Sequence, residues 1–211
     1  MREILDRLKA SLELWEYPYR DPFRVLVATV LSQNTNWQNA KRAYDALLTE
    51  LPTPKKLSEA SLREIQKLIK PAGLHKNKSR ALKEIAQIIQ EEYEGDLRQV
   101  LRKPIEEARE ELTSLSGVGS KTADCVLLFA GGRDVLPVDT HVARTSKRLG
   151  FADLKDTPEK VREKLEPIVP KGRRGEAHIL LIELGRTYCK ARNPNHSECP
   201  VEELCPKIGV D

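Results

Sequence analysis

Leu115-Ser116-Gly117-Val118-Gly119-Ser120-Lys121-Thr122-Ala123 is the stretch on which the reading of this 211-residue chain turns. Two glycines one residue apart permit a tight turn, and the residues after them open a helix whose first amides and positive dipole end favour phosphate. Eighteen positions after Lys121, Asp139 stands in Val138-Asp139-Thr140-His141. An amine just inside a phosphate-binding helix end, with a carboxylate brought by a later segment, suits chemistry on a nucleotide. Gly117 to Thr122 is too short for the phosphate loop of a nucleotide triphosphatase, whose glycines stand further apart. Spacing alone leaves a plainer reading open, in which Lys121 is a solvated first-turn residue that pairs with Asp124 across one helix face.

Around this stretch the chain reads as all-α. Apolar residues recur at helical spacing, as at Leu26, Val27, Val30 and Leu31 or at Leu82, Ile85, Ala86 and Ile89, and sustained two-residue alternation is absent. Breaks at Asp21-Pro22, Thr53-Pro54, Pro71-Ala72-Gly73, Gly95, Gly117 to Gly119, Gly131-Gly132, Pro137, Pro158 and Pro170 divide the chain into about ten helices. Ser61-Leu62-Arg63-Glu64 matches a capping box, and Thr157 before Pro158 marks another helix start.

The net charge is only +4, from 36 basic and 32 acidic residues, so a nucleic-acid surface has to be a local patch. No stretch approaches a membrane span, and the N-terminus lacks an apolar signal core, so an intracellular protein, cytoplasmic or nucleoid-associated, is expected.

Leu115 to Arg144 closely resembles the helix-hairpin-helix and Gly/Pro-Asp region of the endonuclease III family of DNA glycosylases and lyases, and the likeness extends from about Phe23 to Cys205. The resemblance implies that Lys121 is the nucleophile and Asp139 its essential partner. It also implies two helical domains, 21–133 with the hairpin and 1–20 plus 134–211, with the catalytic groups facing a cleft between them. Ser116 departs from the family, which usually has proline there, and this bears on the rigidity of the turn.

Three of the four cysteines crowd the end of the chain, and in an intracellular protein such a cluster more often binds metal than forms disulfides. The family carries four cysteines around a [4Fe–4S] cluster; here the spacing is kept as Cys189-x6-His196-x2-Cys199-x5-Cys205, with histidine at the second position. Three thiolates and an imidazole could hold such a cluster and are also an ordinary tetrahedral zinc site; chemistry alone favours zinc, while the retained loop lengths favour the cluster. The metal is expected to tie the 189–205 loop to the preceding helix and to present Lys190 and Arg192 to DNA phosphates. Cys125, in the apolar helix after Lys121, reads as core.

A glycosylase must turn its target nucleotide out of the stack and fill the gap. The resemblance points to two loops for this, Leu31 to Thr35 and Gly73 to Lys78, with Gln33 as polar plug and Leu74 as apolar wedge. His75, where many relatives have tyrosine, and Asn36, where bacterial relatives commonly have aspartate, are departures that bear on substrate. Lys76, Lys78 and Arg80 are suited to backbone contacts, and the amides of Gly117, Val118 and Gly119 to a phosphate near the lesion.

The expected activity is therefore excision of damaged, oxidised pyrimidines from duplex DNA and nicking at abasic sites, by a monomer working through a lysine Schiff base and β-elimination. A monofunctional glycosylase of the same superfamily is the nearest alternative, but those that use water generally lack this lysine. A non-catalytic hairpin that only grips DNA has no need of Asp139.

Overall fold

The computed structural model describes residues 1–210, which form twelve α-helices, two short 3-10 turns and no strand. In chain order these are α1 (Arg2–Ser11), α2 (Pro22–Ser32), α3 (Trp37–Glu50), α4 (Pro54–Glu59), α5 (Leu62–Ile69), α6 (His75–Glu92), α7 (Arg98–Leu101), α8 (Ile105–Ser114), α9 (Ser120–Phe129), α10 (Thr140–Arg148), α11 (Pro158–Leu165) and α12 (Arg174–Thr187). Helices outnumber the sequence-based expectation because not every boundary falls at glycine or proline. α2 and α3 are parted by Asn34, in the left-handed region at φ 52°, and by Asn36, whose side chain accepts from the Asn39 amide at 2.9 Å and starts α3.

The chain divides into two compact units, Pro18–Arg133 with α2 to α9, and Met1–Tyr17 with the chain from Asp134 onward, which holds α1 and α10 to α12. Residues 18–20 group with the former, where Tyr19 stacks on Tyr44 of α3 at 4.3 Å between ring centroids.

In the Pro18–Arg133 unit, α2 is the central helix. Every residue from Pro22 to Leu31 except Arg24 is buried, as expected of a helix that is apolar on all sides. It packs against α3, α6 and α9. Asp21 caps it through the Arg24 amide at 3.0 Å, with Pro22 in the first turn.

The hairpin is α8, the turn 115–119 and α9. Gly117 takes φ +74°, and a Cβ there would come within 3.2 Å of the Ala81 Cβ on α6, so both backbone angle and space select glycine. α8 and α9 are joined by a buried ion pair in which Arg109 Nε donates to Asp124 Oδ1 at 2.8 Å. This corrects the plainer reading of the hairpin: Asp124 is 1% exposed and faces Arg109, not Lys121. Cys125 is buried, as its apolar surroundings in the sequence imply.

The other unit is built on α12, whose Ala177, Leu180, Leu181 and Leu184 are buried with Ile4, Leu5 and Leu8 of α1 in one core. α10 crosses α12 very closely: a Cβ on Gly185 would lie 2.9 Å from His141 Nδ1 and 3.0 Å from an Arg144 nitrogen. Thr157 and Pro158 start α11 as expected, the threonine side chain accepting from the Lys160 amide at 3.3 Å.

Candidate active site and metal-cluster loop

Lys121 is the second residue of α9 and is half-buried. It has no ion-pair partner among the described residues, whereas the other charged residue of the helix, Asp124, is committed to Arg109. Gly119 is the N-cap, and no side chain caps the helix. The opening of α9 therefore meets no competing oxygen from its own cap residue. The Val118 amide is committed to the Leu115 carbonyl at 3.1 Å and its side chain is buried, so Val118 shapes the turn and its amide is not offered to a phosphate. Gly117 and Gly119 remain the backbone donors of the sequence-derived set.

Gln33 and the hairpin meet within the same unit. Gln33 Nε2 donates to the Gly117 carbonyl at 3.1 Å and lies 3.5 Å from Thr122 Oγ1. Leu74 is 57% exposed, so it is not a packed helix-end residue. It sits at φ 47°, behind Gly73 at φ 65°, a pair of left-handed residues that lifts an apolar side chain into solvent. A leucine held in that region carries backbone strain, which accumulates where structure serves function. His75, half-buried, and Lys76, exposed, follow at the start of α6.

Lys78 departs from expectation. Only 4% exposed, its Nζ donates to the carbonyls of Leu31 at 2.8 Å, Gln33 at 2.7 Å and Ala72 at 2.9 Å. It is therefore no phosphate contact, and burial pushes its ammonium down to about 8. A signal was present in the sequence: Lys78 falls on the helical period of Leu82, Ile85, Ala86 and Ile89, the core face of α6.

Asp139 belongs to the other unit and is the N-cap of α10, its Oδ1 accepting from the Val142 amide at 2.8 Å. Its Oδ2 has no protein donor among the described residues, so one oxygen holds the helix and the other is available. Burial lowers the His141 imidazole, against a raising influence from Asp139. Its Nδ1 lies 3.1 Å from Arg144 Nη2. Arg144 also donates to the carbonyls of Gly185 at 2.9 Å and Cys189 at 3.0 Å.

Further along α10, Arg148 clasps the cluster loop, donating to Lys190 O at 2.7 Å, Ala191 O at 3.3 Å and Cys189 Sγ at 3.4 Å. Cys189, His196, Cys199 and Cys205 line one cavity, open to solvent, together with Leu149 and Leu184. Cys205 Sγ accepts from the Lys207 amide at 3.4 Å. Such N–H donors to sulfur suit thiolate ligands of a metal cluster. Burial pushes the Cys199 and Cys205 thiols up, a penalty that a cation at the sulfurs reverses. No other side chain engages the His196 ring among the described residues. Lys190 and Arg192 are exposed, on a backbone held by Arg148. The roles of Arg144 and Arg148 escape sequence reading, since arginines three and seven residues after a histidine mark only one side of a helix.

A helical hairpin with a lysine at the mouth of its second helix, in a chain ending in a thiolate loop, defines a class of protein. Residues 27–171 match the model of the HhH-GPD superfamily of base excision DNA repair proteins, and residues 189–205 that of the iron–sulfur binding domain of endonuclease III. Endonuclease III of Thermotoga maritima is 38% identical over 97% of this chain and 89% of its own length; that of Bacillus subtilis is 36% identical over 90% and 83%. Among solved structures, a trapped endonuclease III–DNA covalent intermediate superposes with a TM-score of 0.84 at 34% identity, covering 98% of this chain and 94% of the other. The chain belongs to the endonuclease III family of the HhH-GPD superfamily. It is a DNA-binding base excision repair enzyme, a glycosylase with abasic-site lyase activity, and it carries an iron–sulfur cluster.

Proposed function

We propose that Lys121 is the nucleophile of this enzyme and Asp139 its carboxylate partner, acting on oxidised pyrimidines and abasic sites in duplex DNA. The observation that carries this reading is the state of the two side chains. Lys121 is free of ion pairs at the uncapped mouth of α9, and Asp139 keeps one oxygen beyond its helix-capping bond. A residue needed only for folding is better matched by Asp124, whose carboxylate is spent on Arg109.

In this mechanism the Lys121 amine, as free base, bonds to C1′ of the extruded deoxyribose while the C1′–N bond to the base breaks. The base departs with the electron pair and takes up a proton. The ionised Asp139 favours the positive charge that develops at C1′ and helps to order the amine. Opening of the sugar leaves an imine between Lys121 and C1′. Loss of a C2′ proton then expels the 3′-phosphate by β-elimination, and water releases Lys121. The amides of Gly117 and Gly119 hold a backbone phosphate so that the sugar stays within reach. Gln33 fills the space left in the duplex and Leu74 wedges the strands apart; His75 and Lys76 border the wedge.

We read the two compact units as the two domains of a monomeric enzyme working on chromosomal DNA inside the cell. In the cluster loop we assign Cys189, Cys199, Cys205 and His196 as ligands of a [4Fe–4S] cluster rather than of zinc. The four side chains line one cavity, and Cys205 Sγ already accepts from the Lys207 amide, a donor that would support a thiolate ligand of such a cluster. When bound, the cluster supplies a structural tie, while Lys190 and Arg192 contact phosphates. Iron and sulfide analysis with a visible absorption spectrum tests the assignment, and His196→Ala tests the fourth ligand.

The decisive experiment for the chemistry is borohydride trapping on a duplex with an abasic site. A covalent adduct is expected with the native protein and none with Lys121→Gln, which should still bind the duplex. An undiminished adduct from Lys121→Gln would remove the nucleophile assigned here.

A further inference from the structure

Lys78 stands at a meeting of three chain segments that the reaction scheme does not use. Its three N–H donors are matched by three carbonyls, those of Leu31, Gln33 and Ala72, all within 2.9 Å. Leu31 and Gln33 lie at the C-terminal end of α2, where helix carbonyls lack intrahelical partners and a cation is favoured. α2 has no basic residue in its own last turn, and its C-cap Gln33 is extended rather than a left-handed glycine. The missing cap is thus supplied from α6, across 45 residues of sequence.

For α6 itself the arrangement is unfavourable. A lysine near the N-terminal end of a helix opposes the dipole, and a buried ammonium loses its hydration. The third carbonyl, Ala72, ends the 3-10 turn Lys70–Ala72 and stands immediately before Gly73 and the left-handed Leu74. One side chain therefore grips the root of the Gln33 loop, at Gln33's own carbonyl, and the root of the Leu74 loop.

We infer that Lys78 is a positioning residue for base excision, fixing the loops of Gln33 and Leu74 to each other so that plug and wedge enter the duplex as one rigid body. The inference rests on the assignment of Gln33 and Leu74 as the inserting side chains. Without the ammonium, the carbonyls of Leu31, Gln33 and Ala72 must take their hydrogen bonds from water, and the two loops move independently. Placement errors of this kind lower the rate of the step that requires the geometry far more than they lower affinity.

The test is a mutant cycle on the full-length, cluster-loaded protein. The substrate is a duplex with an oxidised pyrimidine opposite 2-aminopurine, whose fluorescence rises when it is unstacked by insertion. Lys78→Met is expected to lower single-turnover excision by roughly ten- to a hundredfold with a matching loss of the fluorescence rise, and to change the dissociation constant little. Combined with Gln33→Ala and Leu74→Ala, Lys78→Met should cause no further loss, because its effect passes through those side chains. A multiplicative loss in the triple variant, or a full fluorescence rise in Lys78→Met, overturns the inference. If Gln33→Ala and Leu74→Ala leave fluorescence and excision unchanged, the plug-and-wedge assignment itself fails, a separate outcome. Should Lys78→Met not fold, Lys78→Gln, which keeps an N–H donor pair near the carbonyls, carries the same cycle with an intermediate loss expected.

Discussion

At the scale of single residues, two side chains each serve folding and reaction, and the two roles can be separated. Asp139 caps α10 with Oδ1 and leaves Oδ2 for chemistry. Asparagine caps about as well as aspartate, so Asp139→Asn should keep thermal stability within about 0.5 kcal/mol of native while excision falls steeply. Asp139→Ala should lose the activity and also about 1 kcal/mol of stability. Thermal denaturation beside single-turnover excision checks both; an active Asp139→Asn would mean that the charge is not needed. Lys78 makes a prediction with a definite sign. Burial places its folded-state value at about 8, below the ordinary 10.5 of an unfolded lysine. Below pH 8 both states are protonated and the burial cost is borne in full. Between pH 8 and 10.5 the unfolded chain holds a proton that the folded one has released, so this residue's contribution to stability rises with pH. Unfolding free energies of native protein minus those of Lys78→Met should therefore climb by on the order of 2 kcal/mol from pH 8 to 10. Taking the difference cancels other groups that titrate there, and a flat or falling difference would place the Lys78 titration elsewhere.

At the scale of elements, the hairpin depends on a charge pair that its sequence does not advertise. Arg109 on α8 and Asp124 on α9 are 7% and 1% exposed, and Arg109 also holds Glu106. Removing one partner of such a pair leaves the other charge buried, so Asp124→Ala should destabilise the protein by about 3–5 kcal/mol, measured as a lower urea midpoint at unchanged slope. If the loss is below 1 kcal/mol, the pair is not what joins the two helices. The same region separates what was legible in the sequence from what was not. Helices announced themselves by period, and Ser61 and Thr157 cap their helices, Ser61 accepting from the Glu64 amide at 3.2 Å and Thr157 from the Lys160 amide at 3.3 Å. The glycine turn was legible because glycine is needed at Gly117 for both angle and space. Partners of buried charges were not. Lysine and arginine are nearly always solvated, so composition argued for Lys78 on the surface and for Asp124 beside its nearest basic neighbour. Only the apolar period through Lys78 hinted otherwise. Among the site residues, Leu74 is exposed and Lys121 lies in the first turn of α9, while the Val118 amide is consumed by the turn.

At the scale of the whole molecule, a net charge of +4 cannot hold DNA by itself, so affinity has to come from a few fixed cations. Lys190 and Arg192 are exposed on the cluster loop, whose backbone Arg148 grips at Cys189, Lys190 and Ala191. The rest of the loop has no helix beyond the 3-10 turn Glu202–Leu204 and is held by the Asn195 amide on the Tyr188 carbonyl at 2.9 Å and by Val201, buried in the α12 core, so ligation by the four side chains around the cavity adds order chiefly to the polar stretch between them. Each phosphate contact lowers log K by about 0.9 per decade of salt, and a contact made by a disordered arm adds less. Two consequences can be measured on one axis. Lys190→Ala with Arg192→Ala should weaken binding of any duplex and reduce the magnitude of the salt slope by about 2. Removal of the cluster should produce the same loss of slope in the native protein, and none beyond it in the doubly substituted one, because both perturbations act through the same two cations. The Pro18–Arg133 unit contains none of the ligands and should keep its helical signal throughout. A slope unchanged by the double substitution would show that the loop does not meet the backbone. A slope that falls further on cluster removal in the double variant would instead give the metal a reach beyond its own loop.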